Sequence, residues 1–420
     1  MDERSKIAWL HRRFGFGLQP GELDAATARG LDAEVARLLD PGAHGVPEAA
    51  DPWDDAFFAG DPRDRKRELN MAAIDGWLER MRTTPRPLEE RVVWMWHDHF
   101  ATSLAGVFHP VLLVRQIRTI QQLAMGSFGD LVRAMLLDSA MLFWLDGVDN
   151  SAKSSNENLG RELLELFTVG IGNHTEDDVK AAARALTGYR VERGTGAVRV
   201  VARRHDDTRQ VLLGTSGVHD VDTVVDAVCS APACATFVAT LVTDRLLGPA
   251  ASGDADLVGD LASTFERSGL QIRPLIEGLV AAGLDRIGQD AIEEPPVPWL
   301  VRAERATGAR VPVNVRISGL RAAGQVPMAP PDVGGWPSGA VWLAAAPVVS
   351  RATLAAAVAA ASPASGPARQ AAAKRDLGAL ATALGRPEGF APATIASLKT
   401  LPKDTQVLAL ALCAPDQVVV

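Results

Sequence analysis

Residues 155–170 read SNENLGRELLELFTVG, and this stretch organises the interpretation of the whole chain. At the α-helical step of about 100° per residue, its polar and apolar side chains separate onto two faces. Ser155 or Asn156 can cap the N-terminus, and Gly170 suits the left-handed position that follows a helix C-terminus. The sequence therefore predicts an amphipathic helix over residues 156–170. Its polar face carries Glu157, Asn158, Arg161, Glu162, Glu165 and Thr168, and its apolar face carries Leu159, Leu163, Leu164, Leu166 and Phe167.

The polar face of this helix has two interpretations. Glu157, Arg161 and Glu165 are spaced i, i+4, i+8, which is typical of an exposed ladder of ion pairs worth roughly a few tenths of a kcal/mol each. Asn156 and Asn158 favour a site, because asparagine is a poor helix former away from a cap. Exposed charged helix faces are common, so the spacing alone favours a solvated face.

Composition excludes several classes of protein. The chain has 420 residues, of which 47% are hydrophobic, which is enough for a large core. A net charge of -8 argues against nonspecific nucleic-acid binding, which needs a basic surface. Cys229, Cys234 and Cys413 form neither a disulfide framework nor a zinc-ligand pattern. The sequence has neither a membrane-span nor a signal-peptide pattern, so we expect a cytoplasmic protein.

Two histidines occur in the tryptophan-rich segment WMWHDHF at residues 94–100. On a helix His97 and His99 lie about 200° apart and cannot both bind one metal ion, because a chelating pair on a helix is spaced i, i+4. A histidine beside tryptophans is more often a core residue than a ligand. All eight histidines precede residue 220, so any imidazole chemistry belongs to that part of the chain.

Helical periodicity continues on both sides of the central stretch. It predicts a mainly α fold, as a large multi-helix domain with one small β-hairpin insertion. The hairpin signal is the alternation of apolar and polar residues in 189–192 and 197–202. We expect residues 1–358 to form the main domain, with the hairpin at about 189–213. Residues 370–420 would then form C-terminal helices packed on the same domain.

A stiff aromatic loop precedes the C-terminal part of the chain. Residues 328–342, here called the Trp336 loop, read MAPPDVGGWPSGAVW. Three prolines restrict its backbone, and Trp336 and Trp342 supply large apolar side chains. Such a loop can line a cleft or close the core, and the sequence does not choose between them.

Five motifs follow one another along the chain. They are LHRRFGFG at 10–17, WHDHFATS at 96–103, NENLGRELLELFTVGIGNHTEDDVKAAARALTGY at 156–189, HDD…LLG at 205–214 and PPDVGGWPSGAVW at 330–342. Together they resemble the bacterial domain-of-unknown-function family 1800, in the family's order and over nearly the whole chain. The resemblance implies a helical protein, often encoded beside an exported family similar to alkaline phosphatases and sulfatases. It implies no particular activity.

The resemblance favours a functional site on the polar face over a solvated face. The chain departs from the family pattern after His205 and Asp206, where Thr208 and Gln210 stand in place of the usual glycine and lysine, with Arg209 between them. If that lysine performs chemistry in the family, this chain is altered or inactive. The residues that match the family's motifs are His97, His99, Phe100, Asn156, Glu157, Asn158, Arg161, Glu162, Glu165, Phe167, His205, Asp206, Gly335, Trp336 and Pro337.

The first functional hypothesis is a hydrolase or transferase with a polar cleft on the 156–170 helix. Glu162 or Glu165 would act as general base or metal ligand. Arg161 would neutralise an anionic group, and Asn158 would orient the substrate. The catalytic candidates are Glu157, Asn158, Arg161, Glu162, Glu165 and His97, and the substrate-binding candidates are Asn156, His174 and Trp336.

This hypothesis allows assistance from a metal ion. His205, Asp206 and His99 offer nitrogen and oxygen ligands that suit a divalent cation such as Zn²⁺ or Mn²⁺. No spacing in the sequence requires one, so the cofactor stays open.

The second hypothesis is a noncatalytic helical chaperone or assembly partner for a protein encoded nearby. In that case Glu157, Arg161 and Glu165 would lock helices together through buried ion pairs. The chain has no P-loop, nucleophile elbow, kinase motif or dinucleotide fingerprint, so the sequence does not decide whether it is an enzyme.

Overall fold

The computed structural model describes residues 1–192, 195–289 and 291–420. In these ranges the protein is 60% helical and its strands form two small antiparallel sheets, which confirms the mainly α fold with a small β insertion. The first helices in chain order are α1 Glu3–Phe14, α2 Glu22–Arg29, α3 Leu31–Leu39, α4 Lys66–Thr83, α5 Pro87–His99, α6 Val111–Leu123, α7 Phe128–Leu136, α8 Ser139–Trp144, α9 Asn158–Glu162 and α10 Glu176–Ala185. The later helices are α11 Val221–Ser230, α12 Pro232–Leu246, α13 Pro249–Ser252, α14 Ala255–Arg267, α15 Ile272–Asp285, α16 Pro296–Thr307, α17 Val313–Ala322, α18 Ala345–Ala361, α19 Pro367–Lys374, α20 Leu377–Ala383, α21 Pro392–Lys399, α22 Asp404–Cys413 and α23 Pro415–Val418.

Side-chain caps fix where the helices near the centre begin. Thr175 starts α10 with a capping box: its hydroxyl accepts from the Asp178 amide at 3.2 Å, and the Asp178 carboxylate accepts from the Thr175 amide at 2.9 Å. Asp220 starts α11 in the same way, with Thr223 as its partner. His174 therefore lies directly before a helix whose first turn is held in place.

The first hairpin follows α10 as the sequence predicts. Strand β1 (Tyr189–Val191) pairs with β2 (Val198–Val200) in an antiparallel register that places Tyr189 opposite Val200. Arg193 and Gly194, in the turn of the predicted hairpin, lie outside the described residues.

The β insertion also holds a second hairpin. Strand β3 (Gln210–Leu212) pairs with β4 (Thr215–Val218), and the register shifts between Gln210 and Val211. Leu213 and Gly214 form the turn with φ angles of 50° and 81°. Two-residue turns with positive φ angles favour asparagine, aspartate or glycine. Because leucine occupies the first position here, the sequence gives no clear signal for this turn.

Buried acids join distant helices through arginines. The Glu294 carboxylate, 2% exposed, lies 3.2 Å from Arg91 Nη1 and 2.9 Å from Arg302 Nη1. The Glu304 carboxylate accepts from Arg316 Nε at 2.9 Å in the same buried manner. These clusters link α5, α16 and α17 in the core.

The LHRRFGFG motif makes structural contacts. His11 Nε2 lies 2.9 Å from the buried Glu34 carboxylate, and Arg12 pairs with Glu388 at the same distance. Arg13 donates to the carbonyl of Val420 at 2.7 Å. Burial opposes ionisation of Glu34, but hydrogen bonds from His11 and then Arg29 lower its pKa to about 2.

The C-terminal helices pack on the rest of the chain. One hydrophobic cluster contains buried residues from Trp9 to Val418, and α22 packs against α18 within it. Backbone hydrogen bonds of 2.8–2.9 Å join Ile292 to Val420 in both directions. Helix α18 ends at Ala361, and α19 starts at Pro367.

Within the described ranges, no single helix combines the length and the apolar composition needed to cross a membrane. One bent pair, Val221–Ser230 with Pro232–Leu246, passes that test together by length and composition alone.

Candidate functional site

The central helix, residues 158–168, changes from an α-helix to a π-helix at Leu163. Side chains satisfy carbonyl groups in the wider turn: Thr168 Oγ1 donates to the Leu163 carbonyl at 2.6 Å. His99 Nε2 lies 3.0 Å from the Phe167 carbonyl. Short π-helical segments inside α-helices are rare and are frequent at functional sites. This turn is therefore an indication of a functional site that is independent of the sequence motifs.

Three asparagines position the start of the central helix. Asn156 Oδ1 accepts from the Asn158 amide at 2.9 Å, and the Asn156 amide donates to Asn150 Oδ1 at 2.9 Å. Asn150 is buried, and its Nδ2 donates to the carbonyls of Ala183 and Leu186 near the end of α10. These hydrogen bonds connect the N-terminus of the central helix to α10. The substrate contacts expected of Asn156 and Asn158 stay predictions.

Arg161 lies at the centre of the acidic polar face. Its guanidinium is 3.1 Å from Glu157, 3.2 Å from Glu165 and 2.8 Å from Glu176 of α10. Hydrogen bonds to Glu176 and Glu165 raise the pKa of Arg161. The side chains are 26–67% exposed, so this is the partly solvated ladder that the spacing predicts. The ion pairs of Glu294, in contrast, are buried in the core.

Glu162 differs from the other acids on this face. Its side chain makes no hydrogen bond or ion pair with another described residue. Burial and then the negative charge of Glu165 raise the pKa of Glu162, and Asp332 of the Trp336 loop acts in the same direction. A half-buried carboxyl with a raised pKa suits proton transfer.

A cleft of about 1130 Å³ lies at the C-terminal end of the central helix. Its walls are the segment that leads into α10, the β3–β4 turn, the corner between α11 and α12, and Ser338 of the Trp336 loop. Asp178 Oδ1 accepts from the Leu213 amide at 2.7 Å, which ties two of these walls together. Phe237, Leu241 and Val169 supply apolar lining, and His174, Asp244 and Arg245 supply charged or titratable groups.

The cleft and the polar face are neighbours rather than one surface. Among the described residues that line the cleft, none belongs to the predicted catalytic set. The link between them is His174, whose Nε2 lies 3.8 Å from Glu165 Oε1. The His174 side chain is 8% exposed, and its Nδ1 has no hydrogen-bond partner in the described chain. His174 was predicted as a substrate-binding residue, and it lies on the cleft wall.

Arg245 lines the cleft and pairs with Asp98, which lines a small cavity behind it. Arg245 Nη2 is 3.4 Å from Asp98 Oδ2, and Asp98 Oδ1 accepts from the Trp336 amide at 2.8 Å. Burial raises the pKa of the Asp98 carboxyl, and the charge of Arg245 opposes that rise. Asp98 therefore contacts both the Trp336 loop and Arg245, although the sequence did not single it out as a site residue.

Glycine is required where the Trp336 loop meets Asp98. Gly335 has φ of 83°, and a Cβ at this position would lie 2.3 Å from the Asp98 carbonyl oxygen. Trp336 then turns inward, 3% exposed, and stacks on Trp94 with ring centroids 5.1 Å apart. The loop therefore closes the core at Trp336 and borders the cleft at Ser338.

His97 lies in the core rather than at the cleft. Its ring is fully buried among Trp77, Trp94 and Trp336, with centroid distances of 5.0, 6.3 and 5.6 Å. Neither ring nitrogen has a hydrogen-bond partner among the described residues, and burial lowers the pKa of His97 to about 3. A catalytic role for His97 stays a prediction without a polar contact to support it.

His205 and Asp206 attach the β insertion to the end of α10. His205 Nδ1 lies 2.9 Å from the Thr187 carbonyl, and the Asp206 amide donates to Thr187 Oγ1 at 2.8 Å. Where the family has a glycine, Thr208 donates its amide to Asp206 Oδ1 at 3.0 Å. Gln210 donates to the Thr208 carbonyl at 2.7 Å. The two departures from the family pattern thus take part in local turn contacts.

The suggested metal ligands do not form one centre. His99 contacts the π-turn, whereas His205 and Asp206 contact Thr187. Throughout the ranges that the structure describes, no group of three or more His, Cys, Asp or Glu side chains could hold a metal ion. The donor set of these three residues therefore does not fit a divalent cation.

These features define a mainly helical protein in which a partly exposed acidic helix borders a mixed polar and apolar cleft. The chain belongs to the family described as "Protein of unknown function (DUF1800)", whose model matches residues 9–418. The resemblance drawn from the five motifs is thereby confirmed. No curated protein and no solved structure matches the chain.

Proposed function

We propose that the protein is a hydrolase or transferase in which His174 is the general base. The supporting observation is the setting of its ring on the cleft wall, with Nε2 facing Glu165 and Nδ1 without a protein partner in the described chain. A carboxylate beside one ring nitrogen favours the tautomer that carries its proton there. The other nitrogen, Nδ1, has no such partner and is shielded from solvent in this structure, so it accepts a proton only when a bound substrate brings the attacking water or alcohol against it.

Glu165 and Arg161 are positioning residues in this proposal. Arg161 holds the Glu165 carboxylate at 3.2 Å, and Glu165 in turn orients His174. The 3.8 Å contact is longer than a hydrogen bond, but such contacts in a site without substrate often tighten when substrate binds. His174 would take the proton of the attacking group and return it to the leaving group.

Glu162 is a second acid–base candidate. Its raised pKa favours the protonated form that a general acid needs. It lies on the polar face rather than on the cleft wall, so it would serve only a substrate that extends past His174.

The test uses p-nitrophenyl octanoate and p-nitrophenyl phosphate as probes for ester and phosphoester hydrolysis. A general base contributes roughly 10²- to 10⁴-fold to a rate, so kcat/KM in His174→Gln should fall about 100-fold or more. His219→Gln is the matched control, because His219 Nε2 lies 3.7 Å from Asp220 Oδ2 and does not line the cleft. Turnover in His174→Gln equal to that of the wild-type protein would refute the role of His174.

The assembly-partner alternative is favoured by one surface feature. Four large aliphatic side chains between residues 341 and 349 are 42–65% exposed, and clustered exposed apolar groups mark protein contacts. The partner would be the protein encoded nearby that the family resemblance implies. Loss of its co-purification in Val349→Asp but not in His174→Gln would favour this alternative. The four residues are Val341, Leu343, Val348 and Val349.

A further inference from the structure

Arg245 reaches the cleft with its hydrogen-bond donors largely unused. Its side chain is 24% exposed, and its ion pair with Asp98 spans 3.4 Å. The guanidinium makes no hydrogen bond to any residue that the structure describes. Arg302 and Arg316, in contrast, each donate to a buried glutamate at 2.9 Å. A guanidinium carries five N–H donors, so most of those on Arg245 are available to a ligand.

An inner cavity of about 60 Å³ adjoins the cleft at Arg245. The two spaces share Asp244, Arg245 and Ser338 in their walls. Trp336 and Trp342 also line the inner cavity, and neither indole N–H has a hydrogen-bond partner within the described ranges. Both side chains are at most 3% exposed, and buried indole N–H groups normally find an acceptor. Donors from three side chains therefore border this end of the cleft.

Carboxylates border the same region, but two of the three already have partners. Asp244 accepts from Ser252 Oγ at 3.2 Å, and Asp98 accepts from the Trp336 amide. Burial raises the pKa of the Asp98 carboxyl, and the charge of Arg245 opposes that rise. Glu293 lines only the inner cavity. Donors without partners therefore outnumber acceptors without partners at the inner end.

The outer part of the cleft has a different character. Phe237 and Leu241 of α12 and Val169 at the end of the central helix present apolar surface, as do Ala231 and Ala233 at the corner between α11 and α12. Small-molecule sites typically measure about 300–1,000 Å³ and combine apolar walls with a few polar groups. At about 1130 Å³ the cleft is slightly larger than this range, and it likewise combines apolar walls with a few polar and charged groups.

We infer that the cleft binds an organic anion with an apolar chain or ring, whose carboxylate or phosphate contacts Arg245 while its apolar part packs on Phe237 and Leu241. The inference rests on the proposed function, because His174 would act on a bond of this ligand. It adds the substrate class to that function. The shared chemistry is an anionic end group on an apolar body.

Isothermal titration calorimetry with sodium octanoate, octyl phosphate and 1-octanol tests this inference. At least one anion should bind the wild-type protein ten times more tightly than octanol, because octanol has the same chain without the charge. The better anion identifies a carboxylate or a phosphate as the preferred end group. Arg245→Gln should lose the tenfold preference, and Arg245→Lys should keep part of it because the charge remains.

Two further variants serve as controls. Arg133→Gln removes a surface arginine that pairs with Asp130 and Asp222, and it should bind like the wild-type protein. Asp98→Asn/Arg245→Gln removes both charges of the inner pair, so it gives the same comparison if Arg245→Gln alone does not fold. The inference is overturned if no probe binds, if octanol binds as tightly as both anions, or if the arginine variants keep the preference.

The two proposals fail in different ways. Arg245-dependent anion binding together with unchanged turnover in His174→Gln would refute the general base and leave the ligand class standing. Loss of turnover in His174→Gln together with Arg245-independent binding would refute the ligand class and leave the general base standing.

Discussion

His97 and His99 lie two positions apart on α5 and have different environments. His97 has no polar contact to a described residue and lies among tryptophans, whereas His99 contacts the Phe167 carbonyl of the π-turn. Burial lowers the pKa of both, to about 3 and about 4, so both rings are neutral near pH 7. Because the His97 and His99 side chains lie about 200° apart on the helix, they contact different parts of the molecule.

His97→Phe should keep the free energy of unfolding within about 1 kcal/mol of the wild-type value, because it removes two buried nitrogens that have no partner in the described structure. His99→Phe should cost about 1–3 kcal/mol, because it leaves the Phe167 carbonyl without its donor. Urea unfolding measures both changes. A His97→Phe protein that folds normally but loses turnover would instead support the catalytic role predicted from the motif.

Asp138 gives a prediction about pH. Burial raises the pKa of Asp138 to about 7, although its carboxylate accepts from the Met141 amide and from Gln116. The unfolded carboxyl has a pKa near 4, so between about pH 4 and 7 the folded state binds the extra proton and stability falls as pH rises. Asp138→Asn should therefore be about 2–4 kcal/mol more stable than wild type at pH 8 and nearly equal to it at pH 4.

Urea unfolding at both pH values measures this difference, with Asp130→Asn as the exposed control. Asp130 is 59% exposed, so its substitution should change stability little at either pH. An Asp138→Asn protein whose advantage is the same at pH 4 and pH 8 would contradict the buried-acid explanation.

Residue-level contacts were predictable where they are local. The Glu157–Arg161–Glu165 ladder follows from its spacing, and the Thr175 capping box follows from its sequence. The Asp98–Arg245 pair was missed, because the partners are far apart in the chain and the tertiary fold alone brings them together.

At the element scale, the central helix shows what a fixed helical period cannot predict. A step of about 100° per residue assigns the two faces correctly up to Glu162, but it gives no signal for the π-turn that follows. That turn is held by contacts from Thr168 and from His99, which lies on another helix. The sequence of the central helix and its neighbours therefore does not include His99, which makes the second contact.

Thr168→Val should loosen this turn, because it removes the 2.6 Å hydrogen bond from Oγ1 to the Leu163 carbonyl. The expected cost is about 1 kcal/mol, with faster hydrogen exchange at the Gly170 amide, which donates to the Leu164 carbonyl in the same turn. Hydrogen exchange followed by mass spectrometry measures the effect.

The matched control is Thr353→Val in α18, where the threonine hydroxyl donates to the Val349 carbonyl at 3.1 Å in a regular helix. It should leave exchange in the central helix unchanged. Equal exchange at Gly170 in wild type and Thr168→Val would show that the π-turn does not depend on this hydroxyl.

At the scale of the whole molecule, the acids that lock helices together are not those of the central helix. Glu294 is 2% exposed and pairs with Arg91 and Arg302. Glu294→Gln should cost about 3–5 kcal/mol, because it leaves buried arginines without their counter-charge. Glu157→Gln, on the partly exposed ladder, should change stability by about 0.5 kcal/mol or less.

Chemical denaturation of the two variants side by side measures this contrast. A larger loss in Glu157→Gln than in Glu294→Gln would contradict it. That result would support the hypothesis that the polar face locks helices together.

The mainly α fold followed from helical periodicity over many segments, whereas the cleft did not follow from the sequence. Its walls come from the end of the central helix, the β3–β4 turn, α12 and the Trp336 loop, which are separated by long stretches of chain. The motifs identified His174 and Trp336 but gave no reason to select Arg245, Phe237 or Leu241. These five residues come together only in the folded protein.

A double-mutant cycle on kcat/KM tests most directly whether Glu165 and His174 work as one unit. His174→Gln, Glu165→Gln and the double variant are compared with the wild-type protein on the p-nitrophenyl probe that it hydrolyses, after equal melting temperatures are established. If Glu165 acts through His174, the double variant is no slower than His174→Gln alone, because the second change removes nothing more. Losses that multiply in the double variant would contradict the account.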